Sequence, residues 1–252
     1  MHNGRVAIGV MAKAPQAGRS KTRLCPPLHP EQAAALSAAF LRDITENLAL
    51  AGRSAPIDGV IAYAPAGREA LFDGILADGT ALMLADGAGD MPEDVQGFGR
   101  CLLHAVRDML AQGHAAACVL NSDSPTLPTD ILIRAATLLL APGAERRVVL
   151  GPACDGGYYL LGMTQAHARL FADIAWSTDS VADATRARAA ELGLELVELP
   201  VWFDVDDSAS LARLCAQAGA QGAHFPAPAT ASAIAAMRLA ELVQPAKACA
   251  AE

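Results

Sequence analysis

The chain has 252 residues, a net charge of −8 and a hydrophobic fraction of 53%. A chain of this length buries roughly 70–75% of its unfolded surface, which is enough for a full core. Its apolar runs are shorter than the ~18–20 residues that span a bilayer, and its first residues lack the apolar stretch of an export signal. Its pI near 5.2 argues against a nucleic-acid-binding surface. We therefore expect a cytoplasmic protein with no membrane span and no nucleic-acid partner.

The cysteines and histidines do not form a recognisable site. The six cysteines contain no C-x-x-C pair, and the six histidines contain no His-x-x-x-His pair. No serine or cysteine lies in a G-x-S-x-G motif. These patterns argue against a zinc site and against a nucleophilic triad, and they favour reduced thiols.

Short apolar runs alternate with longer segments of helical spacing. Strands are predicted over residues 6–11, 57–64, 81–85, 115–120, 147–151, 158–161 and 194–199. Helices are predicted over residues 30–50, 68–76, 98–111, 129–140, 180–192 and 207–218. Alternation at this rhythm is typical of an α/β domain. We predict a doubly wound, mostly parallel sheet with helices on both faces, a Rossmann-like three-layer sandwich, over residues 1–218.

The remaining residues, 219–252, are expected to be an appendage of that domain. Residues 219–230 are rich in Gly, Ala and Pro and are predicted to be a linker. A last amphipathic helix is predicted over residues 231–243, followed by a frayed tail.

The loop after the first strand concentrates positive charge. The chain has three lysines, and two of them lie in residues 13–23 together with two arginines. Glycine and positive charge at the end of a strand suit the phosphates of a nucleotide. We predict that this basic loop binds phosphate through Lys13, Gly18, Arg19, Lys21, Thr22 and Arg23. The alternative is a solvated loop without a ligand.

Carboxylates follow two later strands. Asp123 lies in an Asn-Ser-Asp-Ser-Pro turn directly after a buried strand, where it is placed to hold a hard divalent cation. Asp204, Asp206 and Asp207 follow the last predicted strand, and like charges this close repel unless a cation compensates them. The alternatives are that Asp123 only caps the helix that follows it, and that Asp207 or Ser208 caps the last helix of the domain while Asp204 faces solvent.

A glycine pair joins two predicted strands. The turn Asp155-Gly156-Gly157 permits positive φ and close approach of a ligand, which would let Asp155 accept a hydrogen bond from a sugar or acceptor hydroxyl, or reach the metal. The alternative is a plain hairpin turn. We expect Tyr158 and Tyr159 to pack on opposite faces of the sheet. Trp176 either walls an acceptor pocket or belongs to the core.

Four motifs together resemble a known family. They are Lys13-Ala-Pro-Gln-Ala-Gly-Arg-Ser-Lys-Thr-Arg-Leu24, Ser122-Asp-Ser-Pro125, Asp155-Gly-Gly-Tyr-Tyr-Leu-Leu-Gly162 and Trp176-Ser-Thr178. They are similar to those of the bacterial rSAM/selenodomain-associated transferase 1 family, within the GT-A-like nucleotide-diphospho-sugar transferase superfamily, over residues 5–218. The basic loop and the Asp-Gly-Gly turn also resemble phospholactate guanylyltransferases. The resemblance implies a GT-A-like fold and a nucleotide-activated donor.

Two segments depart from the patterns of these relatives. Related nucleotidyltransferases carry a D-x-D-T-P-E-D-L segment whose second Asp binds metal, and the resemblance places Asp206 at that position. Residues 207–210 read Asp-Ser-Ala-Ser here instead. The family also carries an acidic residue in a Gln-Gly loop, whereas residues 96–100 read Gln-Gly-Phe-Gly-Arg. The glycines of this loop then serve either a ligand contact or only a tight turn.

These features predict a transferase that uses Mg²⁺ or Mn²⁺, a nucleotide or nucleotide-sugar donor and a small-molecule acceptor. The predicted metal ligands are Asp123 and Asp206, with Asp204 as a further candidate, and the predicted catalytic residues are Lys21, Asp123 and Asp206. The predicted acceptor-binding residues are Asp155, Gly156, Gly157, Tyr158 and Trp176. Nucleotidyl transfer from an NTP to a phosphate or hydroxyl is favoured, because the basic loop would neutralise the leaving pyrophosphate. Glycosyl transfer from a nucleotide sugar and a non-catalytic nucleotide-binding regulatory module are the alternatives.

Overall fold

The computed structural model describes residues 4–220 and 222–243. Within them the strands are β1 (Val6–Ala12), β2 (Ile57–Tyr63), β3 (Ala81–Leu84), β4 (Ala116–Leu120), β5 (Arg147–Pro152), β6 (Tyr158–Met163) and β7 (Glu195–Glu198). The α-helices are α1 (Pro30–Ala51), α2 (Phe98–Ala111), α3 (Thr129–Leu140), α4 (Val181–Glu191), α5 (Ser208–Gln217), α6 (Pro228–Ala236) and α7 (Leu239–Leu242).

The strands form one sheet in the order β3-β2-β1-β4-β6-β5-β7. β6 is antiparallel to β4 and β5, and the other neighbouring strands are parallel. From β1 the chain passes through α1 to β2 on one side, and after α2 it returns to place β4 on the other side of β1. The predicted doubly wound, mostly parallel sheet is therefore confirmed. The carboxyl ends of β1 and β4 form the switch point at which such sheets bind ligands.

Two hydrophobic layers cover the faces of the sheet. Alternate side chains of β1 point to opposite faces, so Ile8 lies in the layer of α1 and α3, whereas Ala7 lies in the layer of α2. Phe40 of α1 and Leu103 of α2 are fully buried, one in each layer. In the part of the chain that the structure describes, no helix is both long and apolar enough to cross a membrane.

The helix predicted over residues 68–76 is absent from the structure. Only a single 3-10 turn, Glu69–Phe72, forms there. Gly67 and Gly74 on either side of it have positive φ values of 76° and 72°, which interrupt a helix. One isolated turn also fixes many torsions for few hydrogen bonds, so it does not propagate.

The segment after α5 also differs from its prediction. The linker predicted over residues 219–230 includes the start of α6 at Pro228, and proline suits the first position of a helix. The single helix predicted over residues 231–243 is divided, because Arg238 has a left-handed φ of 52° between α6 and α7. The predicted frayed tail beyond residue 243 lies outside the described residues.

A carboxylate of α1 fixes the start of α6. The amides of Ala229 and Thr230 donate to the Asp43 carboxylate at 2.9 and 2.6 Å. These amides belong to the first turn of α6 and have no partner within the helix. Asp43 therefore joins α6 to α1.

Candidate functional site

A cleft of about 430 Å³ lies beyond the carboxyl ends of β1, β2 and β4, at the switch point of the sheet. Its volume is within the range of small-molecule sites. Small residues near the strand ends line part of it: Ala12, Ala62, Ala64 and Ala85. Charged and polar residues of the basic loop and of the two acidic segments line the rest: Lys13, Arg19, Ser20, Lys21, Thr22, Arg23, Ser122, Asp123 and Asp206. The structure thus brings together the three segments that the sequence singled out.

Lys21 joins the two acidic segments. Its Nζ lies 2.7 Å from Asp123 Oδ1 and 3.0 Å from Asp206 Oδ1, and it donates to the carbonyl oxygen of Val205 at 2.7 Å. The Lys21 side chain is only 7% exposed, and its Nζ lies 5.4 Å from the centre of the Phe40 ring. Because both carboxylate oxygens contact the same nitrogen, they lie within about 6 Å of each other.

The pairing of Lys21 changes how its predicted role must be understood. Its backbone is left-handed, with φ of 50° and ψ of 39°. Two carboxylates compensate its charge in this structure. Phosphate binding by Lys21 stays a prediction, and it would require the ammonium to exchange at least one of these partners.

Hydrogen bonds hold the two acidic segments side by side. The Val205 amide donates to the backbone oxygen of Asp123 at 2.9 Å. The Ser124 hydroxyl donates to the backbone oxygen of Phe203, also at 2.9 Å. The alternative that Asp123 caps α3 is wrong, because that helix begins after Pro128 without a side-chain cap.

The three carboxylates after β7 have different surroundings. Asp207 accepts a hydrogen bond from the Ser210 amide at 2.8 Å and caps α5, as one alternative predicted. Asp204 is half-buried and lines a second cavity of about 370 Å³ together with Asp155. Burial, and then the charges of Asp155 and Asp206, raise the pKa of Asp204 to about 6. Asp206, and not Asp204, shares the cleft with Asp123.

The other three cations of the basic loop differ from Lys21. Lys13, Arg19 and Arg23 are exposed and line the cleft. Within the described residues their side chains make no ion pair or hydrogen bond. Gly18, with φ of 73°, lines a neighbouring cavity together with Thr22. Several unpaired cations beside a cleft favour an anionic ligand.

The turn Asp155-Gly156-Gly157 closes a hairpin between β5 and β6. Asp155 Oδ1 accepts a hydrogen bond from the Gly157 amide at 2.9 Å. Gly156 has φ of 87°, and a Cβ there would lie 2.0 Å from the backbone oxygen of Asp179. Turn geometry and packing account for this motif, and its residues do not line the cleft. The role of these residues in acceptor binding stays a prediction.

The aromatic residues near this hairpin pack against the rest of the domain. Tyr159 lies in the α1 layer and Tyr158 packs against the α2 layer, which confirms that they occupy opposite faces. Trp176 contacts Phe98 edge-on, with ring centroids 5.9 Å apart. A Cβ at Gly99 would lie 3.0 Å from the indole ring. Trp176 therefore supports Phe98, which lines the cleft.

Phe98 is a cleft residue in the Gln-Gly-Phe-Gly-Arg loop, for which the sequence left a ligand contact open without singling out Phe98 itself. It is the first residue of α2 and is 50% exposed, which is uncommon for phenylalanine. Gly97 before it has φ of 55°, and Gly99 after it leaves room for the Phe171 carbonyl. This glycine pair was the available signal. The other unpredicted lining residues, such as Met11 and Cys101, carry no chemical signal of their own.

Asp123 and Asp206 could supply two ligands to a metal ion whose remaining ligands are phosphate oxygens. They already share one cation, the ammonium of Lys21. Among the described residues, no group of three or more His, Cys, Asp or Glu side chains is placed to hold a metal. Mg²⁺ sites commonly use one or two carboxylates and take further oxygens from substrate phosphates.

The fold is similar to those of solved nucleotide-using transferases. A "putative nucleotide-diphospho-sugar transferase" from Desulfovibrio desulfuricans G20 is 25% identical, with a TM-score of 0.79 over 94% of this chain and 96% of that chain. A cytidylyltransferase from Leptospira borgpetersenii is 12% identical, with a TM-score of 0.55 over 96% and 98%. CMP:2-keto-3-deoxy-manno-octonic acid synthetase, complexed with CTP, is 11% identical, with a TM-score of 0.50 over 83% and 96%. The GT-A-like α/β fold is thereby confirmed.

One sequence family matches the chain. No curated protein sequence gives a match. The family described as "Uncharacterized protein conserved in bacteria (DUF2064)" matches residues 47–178, just over half of the chain. The narrower resemblance to the rSAM/selenodomain-associated transferases stays a prediction. The chain belongs to the DUF2064 family of bacterial proteins.

Proposed function

We propose that this chain is a transferase that binds a nucleotide-activated donor in the cleft and transfers part of it to a small acceptor. The supporting observation is that Lys13, Arg19 and Arg23, which have no ion-pair partner among the described residues, line the same cleft as the Asp123–Asp206 pair. Phosphates complement the cations, and a divalent ion complements the carboxylates. Solved structures that share the fold include a cytidylyltransferase and a synthetase complexed with CTP.

The basic loop would bind the terminal phosphates of the donor. The guanidinium groups of Arg19 and Arg23 donate paired hydrogen bonds that match phosphate oxygens, and Lys13 adds a compact charge. Cations held at this position neutralise negative charge where it develops on the leaving group.

The acidic pair would hold Mg²⁺ or Mn²⁺ together with the phosphates of the donor. Asp123 and Asp206 are the proposed ligands, and Asp204 is a further candidate. A bound divalent ion supplies charge neutralisation and polarises a phosphate oxygen. Lys21 positions both carboxylates and compensates their repulsion, and it would bind phosphate only by exchanging one of these partners.

Nucleotidyl transfer from an NTP is the reaction that we favour, because three cations without a partner in the described part of the chain suit a departing pyrophosphate. The acceptor would be a small molecule that attacks through a phosphate or a hydroxyl. Glycosyl transfer from a nucleotide-diphospho-sugar is the second candidate. It is favoured by the TM-score of 0.79 and 25% identity to the Desulfovibrio protein.

The released product distinguishes the two reactions. The purified chain is incubated with Mg²⁺ or Mn²⁺, a panel of sugar phosphates and hydroxy acids, and either the four common NTPs or UDP- and GDP-sugars. Acceptor-dependent release of pyrophosphate supports nucleotidyl transfer, whereas release of a nucleoside diphosphate supports glycosyl transfer. A ligand at 100 times its Kd stabilises a protein by about 2.7 kcal/mol. If no nucleotide or nucleotide sugar raises the melting temperature, both candidates fail.

A further inference from the structure

A second cavity, of about 320 Å³, adjoins the cleft on the side of the basic loop, and we call it the basic pocket. Four residues line both spaces: Lys13, Arg19, Thr22 and Ala64. Arg68, which follows β2, lines the basic pocket and not the cleft. A phosphorylated ligand in the cleft is therefore able to reach the basic pocket past the basic loop.

The lining of the basic pocket supplies hydrogen-bond donors and positive charge. Lys13, Arg19 and Arg68 contribute three cationic side chains. The hydroxyl of Thr22 and the amide of Gln16 add neutral donors. No Asp or Glu is among the lining residues, whereas two carboxylates line the cleft. Donors and positive charge without a carboxylate select an anionic group.

Arg68 distinguishes the basic pocket from the cleft. Its side chain is partly exposed, and it has no ion-pair or hydrogen-bond partner in the part of the chain that the structure describes. By contrast, Arg42 and Arg186 pair with glutamates on the surface of the domain. Like charges that line one pocket repel each other, and a bound anion would relieve this repulsion.

Hydrogen bonds to Glu69 hold the loop that carries Arg68. The Glu69 carboxylate accepts from the Gly67 amide at 3.2 Å and from the hydroxyl of Tyr63, the last residue of β2. Glu69 itself does not line the basic pocket. The backbone of Arg68 is therefore fixed by its neighbours, while its guanidinium group stays open to a ligand.

Three neighbouring strand ends carry the charges of this region in a fixed order. The sheet places β1 between β2 and β4. Asp123 follows β4, the basic loop follows β1 and Arg68 follows β2. Neighbouring strands lie about 4.8 Å apart, so β2 and β4 are about 10 Å apart. Positive charge thus extends from the Asp123–Asp206 pair across the basic loop to Arg68.

We propose that the basic pocket is a second anion subsite, in which Arg68 binds a phosphate group together with Lys13 and Arg19. This group is separate from the phosphates held in the cleft beside Arg23 and the Asp123–Asp206 pair. Two ligands carry such a group: an NTP donor, through its terminal phosphate, and an acceptor that bears a phosphate of its own. The assignment to donor or acceptor rests on the proposed transferase function, but anion binding does not.

Titration with inorganic pyrophosphate tests the subsite without a nucleotide and without turnover. The full chain and its variants are compared by calorimetry at low salt. Arg68→Ala should weaken pyrophosphate binding by about tenfold, because one charge-assisted contact is lost. Arg68→Lys should restore part of the affinity, because it keeps the charge without the paired donors. Arg53→Ala is the matched control and should leave binding unchanged, since Arg53 is exposed and lines a different cavity.

The melting temperature of the ligand-free chain separates binding from a structural role. It should be the same for Arg68→Ala and the wild type, because Arg68 has no partner among the described residues. A lower value for Arg68→Ala would assign Arg68 to the fold and overturn the subsite. Pyrophosphate binding that ignores Arg68→Ala, or a wild type that binds no pyrophosphate, would overturn it as well.

Nucleotide titrations then distinguish the two sources of the phosphate. If the basic pocket holds the terminal phosphate of the donor, Arg68→Ala should weaken NTP binding by about tenfold and leave monophosphate binding unchanged. If it holds the phosphate of an acceptor, NTP binding should ignore Arg68→Ala. Inorganic phosphate should then still bind the NTP-saturated wild type and bind the NTP-saturated variant about tenfold more weakly. Pyrophosphate binding that depends on Arg68, in a chain that binds no nucleotide, would refute the proposed function and support the subsite.

Discussion

The basic loop contains two kinds of cation within 11 residues. Lys21 is 7% exposed and is paired with two carboxylates, whereas Lys13, Arg19 and Arg23 are exposed and, as far as the described residues go, unpaired. A cation that satisfies neighbouring carboxylates belongs to the folded structure. Cations that are left unpaired raise the local potential for an anion. The comparison indicates that Lys21 holds the site together, whereas the other three cations are free to bind a ligand.

The largest effect is expected from Asp123→Asn, which removes one of the two carboxylates that pair with Lys21. The transfer rate should fall at least 100-fold, because a catalytic metal contributes several kcal/mol. The fold should persist, because the Val205 amide contacts the backbone of Asp123 and not its side chain. Metal-dependent turnover and circular dichroism of the variant check both points. Undiminished turnover would mean that the metal binds elsewhere.

Lys21→Met and Arg19→Met compare the two kinds of cation through stability. Removing one partner of a buried ion pair typically costs about 3–5 kcal/mol. The carboxylates here are 30% and 39% exposed, so solvent screens them and we expect a loss of about 1–3 kcal/mol for Lys21→Met. Arg19→Met should change the free energy of unfolding by less than about 0.5 kcal/mol. Urea unfolding of both variants measures the difference. Equal losses of unfolding free energy would show that Lys21 and Arg19 do not differ in their contribution to stability.

Arg19→Ala and Arg23→Ala test the unpaired cations through binding. Each should weaken NTP binding by about tenfold, because one charge-assisted contact to phosphate is lost. Neither should alter the free energy of unfolding. Arg53→Ala is the matched control, since Arg53 is an exposed arginine near the start of β2, away from the cleft. Calorimetric titration at low and high salt checks this, and the effect should shrink as salt rises.

The smallest effect concerns Asp43, a buried carboxylate whose partners are the amides of α6. Burial raises its pKa above 3.8 despite hydrogen bonds from the start of α6. A group whose pKa is raised on folding contributes stability that is fully present below its pKa in the unfolded state. This contribution is lost as the pH rises through its pKa in the folded state. The unfolding free energy of the wild type minus that of Asp43→Asn should therefore fall as the pH rises through the unfolded and then the folded pKa of Asp43. A difference that grows with pH would contradict this direction.

The sequence predicted the sheet and the charged strand ends for a simple physical reason. Apolar runs alternate with helical spacing, and the carboxyl ends of parallel strands meet at one edge. The contact of Lys21 with Asp206 joins residues 185 positions apart, and the backbone of Lys21 is left-handed. Neither feature can be predicted from a local sequence pattern. The exposure of Phe98 depends on how the elements around the cleft pack, which a local sequence pattern does not show. The helix predicted from the spacing of apolar residues over 68–76 does not form, because the glycines on either side of the segment have positive φ.

The most direct test of the account is how nucleotide affinity depends on the number of phosphates. The NTP that binds best is compared with its di- and monophosphate by calorimetry, in Mg²⁺, for the wild type and for the double variant Arg19→Ala, Arg23→Ala. The account predicts that wild-type affinity rises by about tenfold with each added phosphate and that the double variant flattens this series. Equal affinity for the mono- and triphosphate, or a series that the double variant leaves unchanged, would contradict the claim that the unpaired cations of the basic loop bind the donor's phosphates.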